Sequence, residues 1–401
     1  MSNSSEVRAL RLLPDLIPRL RRVETFAAVT RALERGDSGT IDGAWGSSSA
    51  LAKAAIADAL HRANSTPRTL LVVTPRLSDV DDLVADLASY LDEPPAVFPA
   101  WETLPQEQSV SDPIFGARLQ LLNEVESSQP PRIVVASLPA LLQPVPDAAE
   151  RRQGTRRLVV GESLDLEAFL KWLVDRGFER QSAIERPGEF SVHGGILDVF
   201  SPGAAEPVRV ELFGDEIESI RTFDPETQRK TGELKESAVT AVAAASSTAS
   251  GGVGRESLND HVDRDISDSQ GADAPRSPVS GSGQFVHSLP AGSWVVLHEP
   301  QELVEEGKHY LSRLNNPRGL FSVSSAIEAC TRRPSVTIAA LSGGSLETTC
   351  RLQVESIERF GGPRAEVLKE LASIVGREET VLIACHNEGE RERLRELLAQ
   401  A

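Results

Sequence analysis

The fold of the chain is indicated most clearly by residues 188–229, which read GEFSVHGGILDVFSPGAAEPVRVELFGDEIESIRTFDPETQR. Short runs rich in β-branched and aromatic residues alternate there with two-residue turn signals, which is typical of antiparallel β structure. The turn signals are Gly194-Gly195, Pro202-Gly203 and Gly214-Asp215. This stretch therefore predicts a small sheet built from hairpins.

The run 208–213 predicts which side chains of this sheet are buried. Successive side chains of a strand point to opposite faces, so an apolar set and a mixed set separate cleanly. The two sets are Val208, Val210 and Leu212 on one face and Arg209, Glu211 and Phe213 on the other. The first face is expected to be core, and the second to be open to solvent or to a partner.

A short helix is predicted just before this sheet. Apolar residues recur there at helical spacing, and Gly177 follows as a stop signal. The apolar positions are Leu166, Phe169, Leu170, Leu173 and Val174.

Further from the hairpins, the sequence predicts an α/β layer. Residues 69–74 (TLLVVT) and 132–136 (RIVVA) are short apolar runs beside helical patterns, as expected of buried parallel strands. Strand-like sequence resumes at 294–299 (WVVLHE). Another α/β stretch is predicted from about residue 363, with a strand at 380–385 and a final helix.

Composition limits the classes of function. The chain has 401 residues, a net charge of −17 and a pI near 5.0, which argues against a surface that holds nucleic acid by general electrostatics. Its three cysteines are far apart, which gives no support for a disulfide framework. A signal peptide and an apolar run of roughly 18 residues are both lacking. We therefore expect a cytoplasmic protein without a membrane segment.

Residues 241–285 stand apart in composition. They are rich in Ser, Gly, Asp and Ala and poor in large apolar residues, so they cannot bury enough surface to offset the entropy of ordering. The sequence predicts a disordered insertion here.

A small-residue loop ahead of a predicted helix is the natural candidate for phosphate binding. A phosphate-binding loop ends in Gly-Lys-Ser/Thr, because the lysine reaches the phosphates and the hydroxyl holds magnesium. Here the three positions are Ser48, Ser49 and Ala50, after Gly43 and Gly46, and Lys53 lies about one helical turn further on. A serine-rich helix cap is the favoured interpretation, and ATP hydrolysis at this loop is not expected.

Other catalytic patterns are also lacking in the sequence. The seven histidines show no metal-binding spacing, and no Gly-x-Ser-x-Gly elbow occurs. We therefore predict no catalytic residue, no metal site and no cofactor.

The stretch 188–229 strongly resembles the segment shared by the excision nuclease subunit UvrB and the transcription-repair coupling factors. Upstream, residues 99–105 (PAWETLP) and 112–119 resemble the coupling factors more than UvrB. The altered loop at 43–50 agrees, because UvrB keeps an intact nucleotide site and the coupling factors have a degenerate one. The chain is therefore identified as similar to the N-terminal part of that family.

The resemblance implies a domain plan. An α/β domain with a degenerate, helicase-like phosphate loop would begin at 1–140, and a small β-rich UvrB-interaction domain would occupy 141–215. The chain would return to the first domain over 216–345, and a further, incomplete α/β domain would begin at 346–401. The RNA polymerase-binding domain and the DNA translocase motor of the family would lie outside the chain.

The resemblance also implies UvrA as the partner, bound through His193, Arg209 and Phe213. The family commonly has arginine at the first position, and an imidazole cannot make an arginine's two-pronged contact, so binding is expected to be weaker or to tighten at lower pH. An exposed aromatic beside an arginine is typical of interface anchors. The alternative is that Phe213 packs under the following turn, while Arg209 pairs with Glu211 or Glu218.

The preferred interpretation is a non-catalytic module that recruits UvrA in transcription-coupled repair. One rival is an ATP-dependent helicase or translocase, which micromolar ATP affinity would favour. A second rival is a scaffold for a different protein partner.

Overall fold

The computed structural model describes residues 13–63, 66–101, 112–241, 282–314, 317–341, 348–354 and 388–400. The strands in chain order are β1 (Gly39–Asp42), β2 (Leu70–Thr74), β3 (Ala96–Phe98), β4 (Ile133–Ser137), β5 (Val145–Pro146), β6 (Thr155–Val159), β7 (Glu179–Arg180), β8 (Glu189–His193), β9 (Ile196–Val199), β10 (Val208–Phe213), β11 (Glu216–Phe223), β12 (Lys230–Leu234), β13 (Glu236–Thr240), β14 (Ser282–Gly283), β15 (Trp294–His298), β16 (Ser335–Ala339) and β17 (Thr348–Arg351).

The helices connect these strands. A single 3₁₀ turn, Leu13–Asp15, precedes them. In chain order they are α1 (Leu16–Arg21), α2 (Glu24–Arg35), α3 (Ser47–Ala63), α4 (Ser78–Ala88), α5 (Pro113–Val125), α6 (Leu138–Leu142), α7 (Ala148–Gln153), α8 (Leu166–Asp175), α9 (Phe285–Ser288), α10 (Pro300–Ser312), α11 (Val323–Thr331) and α12 (Glu388–Gln400).

The first unit is built on a seven-stranded sheet in the order β17-β1-β16-β15-β2-β4-β3, in which all neighbouring strands are parallel. The central strands β2 and β4 are buried along their whole length, which confirms the prediction made from the apolar runs. Strands covered by helices on both faces need apolar side chains on both faces, which explains the unbroken apolar runs of β2 and β4.

Alternate side chains of the central strands enter two separate cores. On β2, Leu71 and Val73 pack with α5, α6, α10 and α11, whereas Leu70 and Val72 pack with α1 to α4. The sheet is therefore the middle layer of an α/β/α sandwich.

The second unit is a six-stranded sheet in the order β12-β11-β10-β9-β8-β7. One face packs on α8 and carries Val208, Val210 and Leu197. Asp165 caps α8, because its side chain accepts a hydrogen bond from the backbone N–H of Ala168. Val174 is 56% exposed, so the apolar stripe predicted for this helix is narrower than expected.

Both predicted limits of the second unit need correction. A boundary at 215 cuts the β10–β11 hairpin, in which Leu212 pairs with Ile217, and the unit continues to β13, which pairs with β6. A start at 141 is too early, because Leu141 and Val145 lie in the core of the first unit. Strand pairing places the second unit at about 155 to 241.

The return of the chain to the first unit also differs from the prediction. Phe285, assigned to the disordered insertion, is fully buried and stacks on Phe98 with ring centroids 3.8 Å apart. The predicted start of a further domain at 346 is wrong for β17, which pairs in parallel with β1 of the first sheet. The strand has no other partner in the described residues, so it belongs to the first unit.

Some predictions lie outside the described residues. They are the insertion over 242–281, the strand at 380–385 and its preceding helix, and residues 102–105 of the upstream motif. Among the helices that the structure describes, none is long and apolar enough to cross a membrane.

Candidate docking surface

The second sheet has an outer face, defined as the face opposite α8. Strand register places all three residues predicted to bind a partner on it. Residues that pair across neighbouring strands lie on the same face. Arg209 pairs with Asp198, and Glu211 pairs with Ile196. Ile196 also pairs with His193 on its other side. The outer face therefore carries His193 on β8 and Arg209 and Phe213 on β10, on either side of β9.

Phe213 is the most exposed aromatic feature of this face. It ends β10, and the two-residue turn Gly214-Asp215 leads directly into Glu216. Its side chain is 78% exposed, so it does not pack under the turn. An aromatic side chain held at the tip of a rigid hairpin gives a partner a large apolar surface at little entropic cost.

Arg209 is held within the domain by contacts with three residues. Its Nε and Nη2 donate to the two carboxylate oxygens of Asp198 at 2.7 and 2.8 Å, and Nη2 also donates to Gln228 at 2.9 Å. Its guanidinium lies 4.4 Å from the ring centre of Phe223. The alternative in which Arg209 pairs with Glu211 or Glu218 is therefore wrong. The hydrogen bonds that Arg209 donates to Asp198 raise the pKa of Arg209.

His193 lies at the tip of the neighbouring β8–β9 hairpin and is exposed. The turn Gly194-Gly195 follows it, and the backbone N–H of Leu212 donates to the Gly195 carbonyl at 2.7 Å. A Cβ atom on Gly195 would lie 2.7 Å from the Leu212 carbonyl oxygen, so only glycine allows this approach. The two hairpin tips are thereby held side by side.

One further charged residue of the outer face, Arg221, was not singled out from the sequence. Arg221 forms an ion pair with Glu211, whose carboxylate also accepts a hydrogen bond from Ser219 at 2.7 Å. Simple alternation could not assign Arg221 a face, because the register of β10 and β11 shifts between Glu211 and Leu212. Because of this bulge, Ile217 and Ile220 lie on the same buried face although they are three positions apart.

The other end of the outer face is closed. Ile184, Phe200 and Phe223 form a small buried cluster there. The end that carries the two hairpin tips is exposed, and it holds both Phe213 and His193.

The loop at 43–46 connects β1 to α3 at the carboxyl edge of the parallel sheet, where α/β proteins commonly bind ligands. Gly43 and Gly46 have positive φ values of 77° and 56°. The Ser48 hydroxyl donates to the Trp45 carbonyl at 2.7 Å, and Ser49 and Ala50 are buried in the first turns of the helix. The strand–loop–helix arrangement of a phosphate-binding site is thus present, but the Ser48 hydroxyl bonds to the backbone of the loop and Ser49 and Ala50 are buried.

The chain's own backbone lies against this loop. Leu352, just after β17, donates its N–H to the Asp42 carbonyl at 2.8 Å. A Cβ atom on Gly43 would lie 2.3 Å from the Leu352 carbonyl oxygen, and the Trp45 indole donates to the Val354 carbonyl at 3.3 Å. A carbonyl group is thus packed beside the loop where a phosphate-binding loop would face an anion.

A lysine is buried beneath the loop. The Lys53 ammonium donates to the Ser49 hydroxyl, and its Nζ lies 3.4 Å from Nδ1 of His298 at the end of β15. Burial lowers the pKa of Lys53 to about 7, although Glu299 and Asp86 oppose this shift. Burial and the Lys53 charge together lower the pKa of His298 to about 3, so its ring is neutral at neutral pH.

The dipeptide His298-Glu299, at the end of β15, was not singled out from the sequence. His298 stands where magnesium-dependent nucleotide sites place an acidic residue at a strand end. Glu299 has a positive φ of 48°, and its carboxylate accepts a hydrogen bond from the backbone N–H of Ala340 at 2.7 Å. An apolar strand followed by His-Glu is the signal that could have identified this edge of the sheet.

Comparison with known proteins agrees with the second unit as a separate domain. Residues 157–244 match the family described as the UvrB interaction domain. The chain is 36% identical over 192 residues to the transcription-repair-coupling factor of Mycobacterium tuberculosis, which covers 46% of the chain and 15% of that protein.

Two other relatives carry the same name. Identity is 37% over 175 residues to the protein of Staphylococcus aureus (43% of the chain, 15% of that protein) and 32% over 169 residues to that of Bacillus subtilis (42% and 14%). Each match thus spans about 15% of the length of these relatives. The chain is therefore similar to transcription-repair-coupling factors over less than half of its length, and residues 157–244 match the UvrB interaction domain.

Proposed function

We propose that the chain is a UvrA-docking module for transcription-coupled repair, without catalytic activity of its own. The observation that carries the proposal is the open end of the outer face, where Phe213 is 78% exposed within a matched UvrB interaction domain. Contacts to RNA polymerase and DNA would belong to other parts of the full-length relatives.

The rigidity of the outer face supports this role. Arg209 is held by Asp198 and stacked on Phe223, so little side-chain entropy remains to be lost when a partner binds. Phe213 is fixed by a two-residue hairpin turn. Preorganised aromatic and arginine side chains at an interface are typical of the residues that dominate binding free energy.

The loop at 43–50 supports the absence of nucleotide chemistry. Three of the groups that handle phosphate and magnesium are replaced, at Ser48, Ser49 and Ala50. Lys53 is buried beneath the loop and is bonded to the Ser49 hydroxyl. We propose that this is a degenerate nucleotide site that needs no cofactor, and that the first unit acts as a scaffold.

The proposal is tested by calorimetric titration of the chain with purified UvrA. Wild type is expected to bind at micromolar concentration or below, and Phe213→Ala to lose about 2 kcal/mol, roughly 30-fold in Kd. Val174→Ala is the matched control, because Val174 is a 56% exposed apolar residue on α8, away from the outer face. Absence of binding by a folded wild type would overturn the proposal.

Titration with ATP tests the second half of the proposal. No heat of binding is expected at micromolar nucleotide. Micromolar affinity would instead favour the translocase interpretation.

A further inference from the structure

An exposed isoleucine lies beside Phe213 on the outer face. Ile196 begins β9 and is 39% exposed, although the next residue, Leu197, is completely buried in the domain core. Ile196 therefore contributes little to the core of the isolated domain. A single exposed apolar residue is common on protein surfaces, so the position of Ile196 relative to Phe213 is what points to a partner.

Register places Ile196 and Phe213 next to each other. Ile196 pairs with Glu211, which is two residues before Phe213 on the same face of β10. The close approach of Gly195 to Leu212 holds the two hairpin tips together. The two apolar side chains thus lie at diagonal positions on adjacent strands of the same face, and we refer to them together as the apolar patch.

Two ion pairs neutralise part of the charge around Ile196 and Phe213, whereas the exposed Asp215 and Glu216 lie at the same hairpin tip as Phe213. Arg209 is paired with Asp198, and Arg221 is paired with Glu211. The four groups therefore add no net charge beside the patch. A partner surface that complements this region is expected to be apolar where it meets the two side chains, with polar groups only at the rim.

From this geometry we infer that Ile196 is a second anchor, which enters the same apolar pocket of UvrA as Phe213. The inference rests on the proposed function and extends it by one residue and by the chemistry of the partner's surface. Ile196 is available for binding because Leu197, and not Ile196, packs in the core of the domain, while Ile196 stays 39% exposed.

The test is a set of calorimetric titrations with UvrA. Ile196→Ala removes three carbon atoms of a partly exposed side chain and should weaken binding about fivefold. Ile196→Lys places a charge in an apolar pocket and should weaken it by roughly 50-fold or more. Ile196→Val should keep nearly full affinity, and Val174→Ala is again the control for an exposed apolar residue elsewhere.

A double variant separates one shared pocket from two independent contacts. Neighbouring residues that fill one pocket are non-additive, so Phe213→Ala combined with Ile196→Ala should weaken binding less than the product of the two single effects. Circular dichroism and the unfolding midpoint of each variant exclude loss of fold as the cause.

The possible failures are distinguishable. If a folded wild type does not bind UvrA, the proposed function falls and this inference falls with it. If wild type binds and Phe213→Ala weakens binding, while Ile196→Ala and Ile196→Lys match wild type, only the inference is overturned. Strict additivity of the double variant would overturn the shared pocket.

Discussion

Replacement of the buried lysine beneath the loop should change how stability depends on pH. The pKa of Lys53 falls from 10.5 to about 7 on folding, chiefly because of burial. Between these two values the unfolded chain binds more protons than the folded chain, so the free energy of unfolding rises with pH in that window. Below pH 7 both states are protonated, and the full cost of burying the charge is present.

The size of the effect follows from the shift. A difference of about 3.5 units at about 1.36 kcal/mol per unit corresponds to about 5 kcal/mol across the window. Lys53→Met keeps the length of the side chain but removes the amine, so this pH-dependent part should vanish. The variant loses the bond to Ser49, which costs about 1 kcal/mol and does not depend on pH in this range.

The assay is urea unfolding followed by circular dichroism at pH 7, 8 and 9, with wild type and variant in matched buffers. From pH 7 to 9 the free energy of unfolding of wild type should gain about 2 to 3 kcal/mol relative to Lys53→Met. Lys171→Met is the control, because the Lys171 side chain is 75% exposed. Equal slopes against pH for wild type and Lys53→Met would refute the reasoning.

Three other changes have expected outcomes. Arg118 is buried against the rings of Phe98 and Trp101, and the hydrogen bonds described for it go to neutral oxygen atoms. Arg118→Lys should therefore lower the free energy of unfolding by about 2 to 4 kcal/mol in urea titrations. An unchanged unfolding midpoint would contradict this. His193→Arg should tighten UvrA binding several-fold in calorimetry, because a guanidinium adds a charged donor with two parallel N–H groups at an exposed position. Equal affinity of the variant and wild type would show that His193 is not at the interface. Gly195→Ala should weaken UvrA binding and also lower the unfolding midpoint, because the alanine Cβ would clash with the Leu212 carbonyl oxygen. Unchanged affinity and an unchanged midpoint would show that the two hairpin tips need not touch.

The strand period of two was sufficient to predict the faces of β10. Val208 and Val210 are buried, and Phe213 is on the opposite side, as expected. The same reasoning failed to identify the partner of Arg209, because Asp198 is eleven residues away and meets it only through the β9–β10 register. Long-range pairing is set by which strands become neighbours, and that information is not local.

The domain limits were the least predictable part of the fold. The turn at 214–215 resembles a boundary in sequence but is the tip of a hairpin. Phe285 follows a polar stretch without strong local signals, and its burial depends on Phe98, nearly two hundred residues earlier. The strand β17 could not be assigned to the first sheet, because parallel pairing leaves no short-range pattern.

The central claim is that UvrA docks on the open end of the outer face. Hydrogen exchange of the chain, measured with and without saturating UvrA, tests it most directly. The account predicts slower exchange at residues 193–196 and 211–216, with α8 and the loop at 43–46 unchanged. Protection confined to α8 or to the first unit, with unchanged exchange at both hairpin tips, would contradict it.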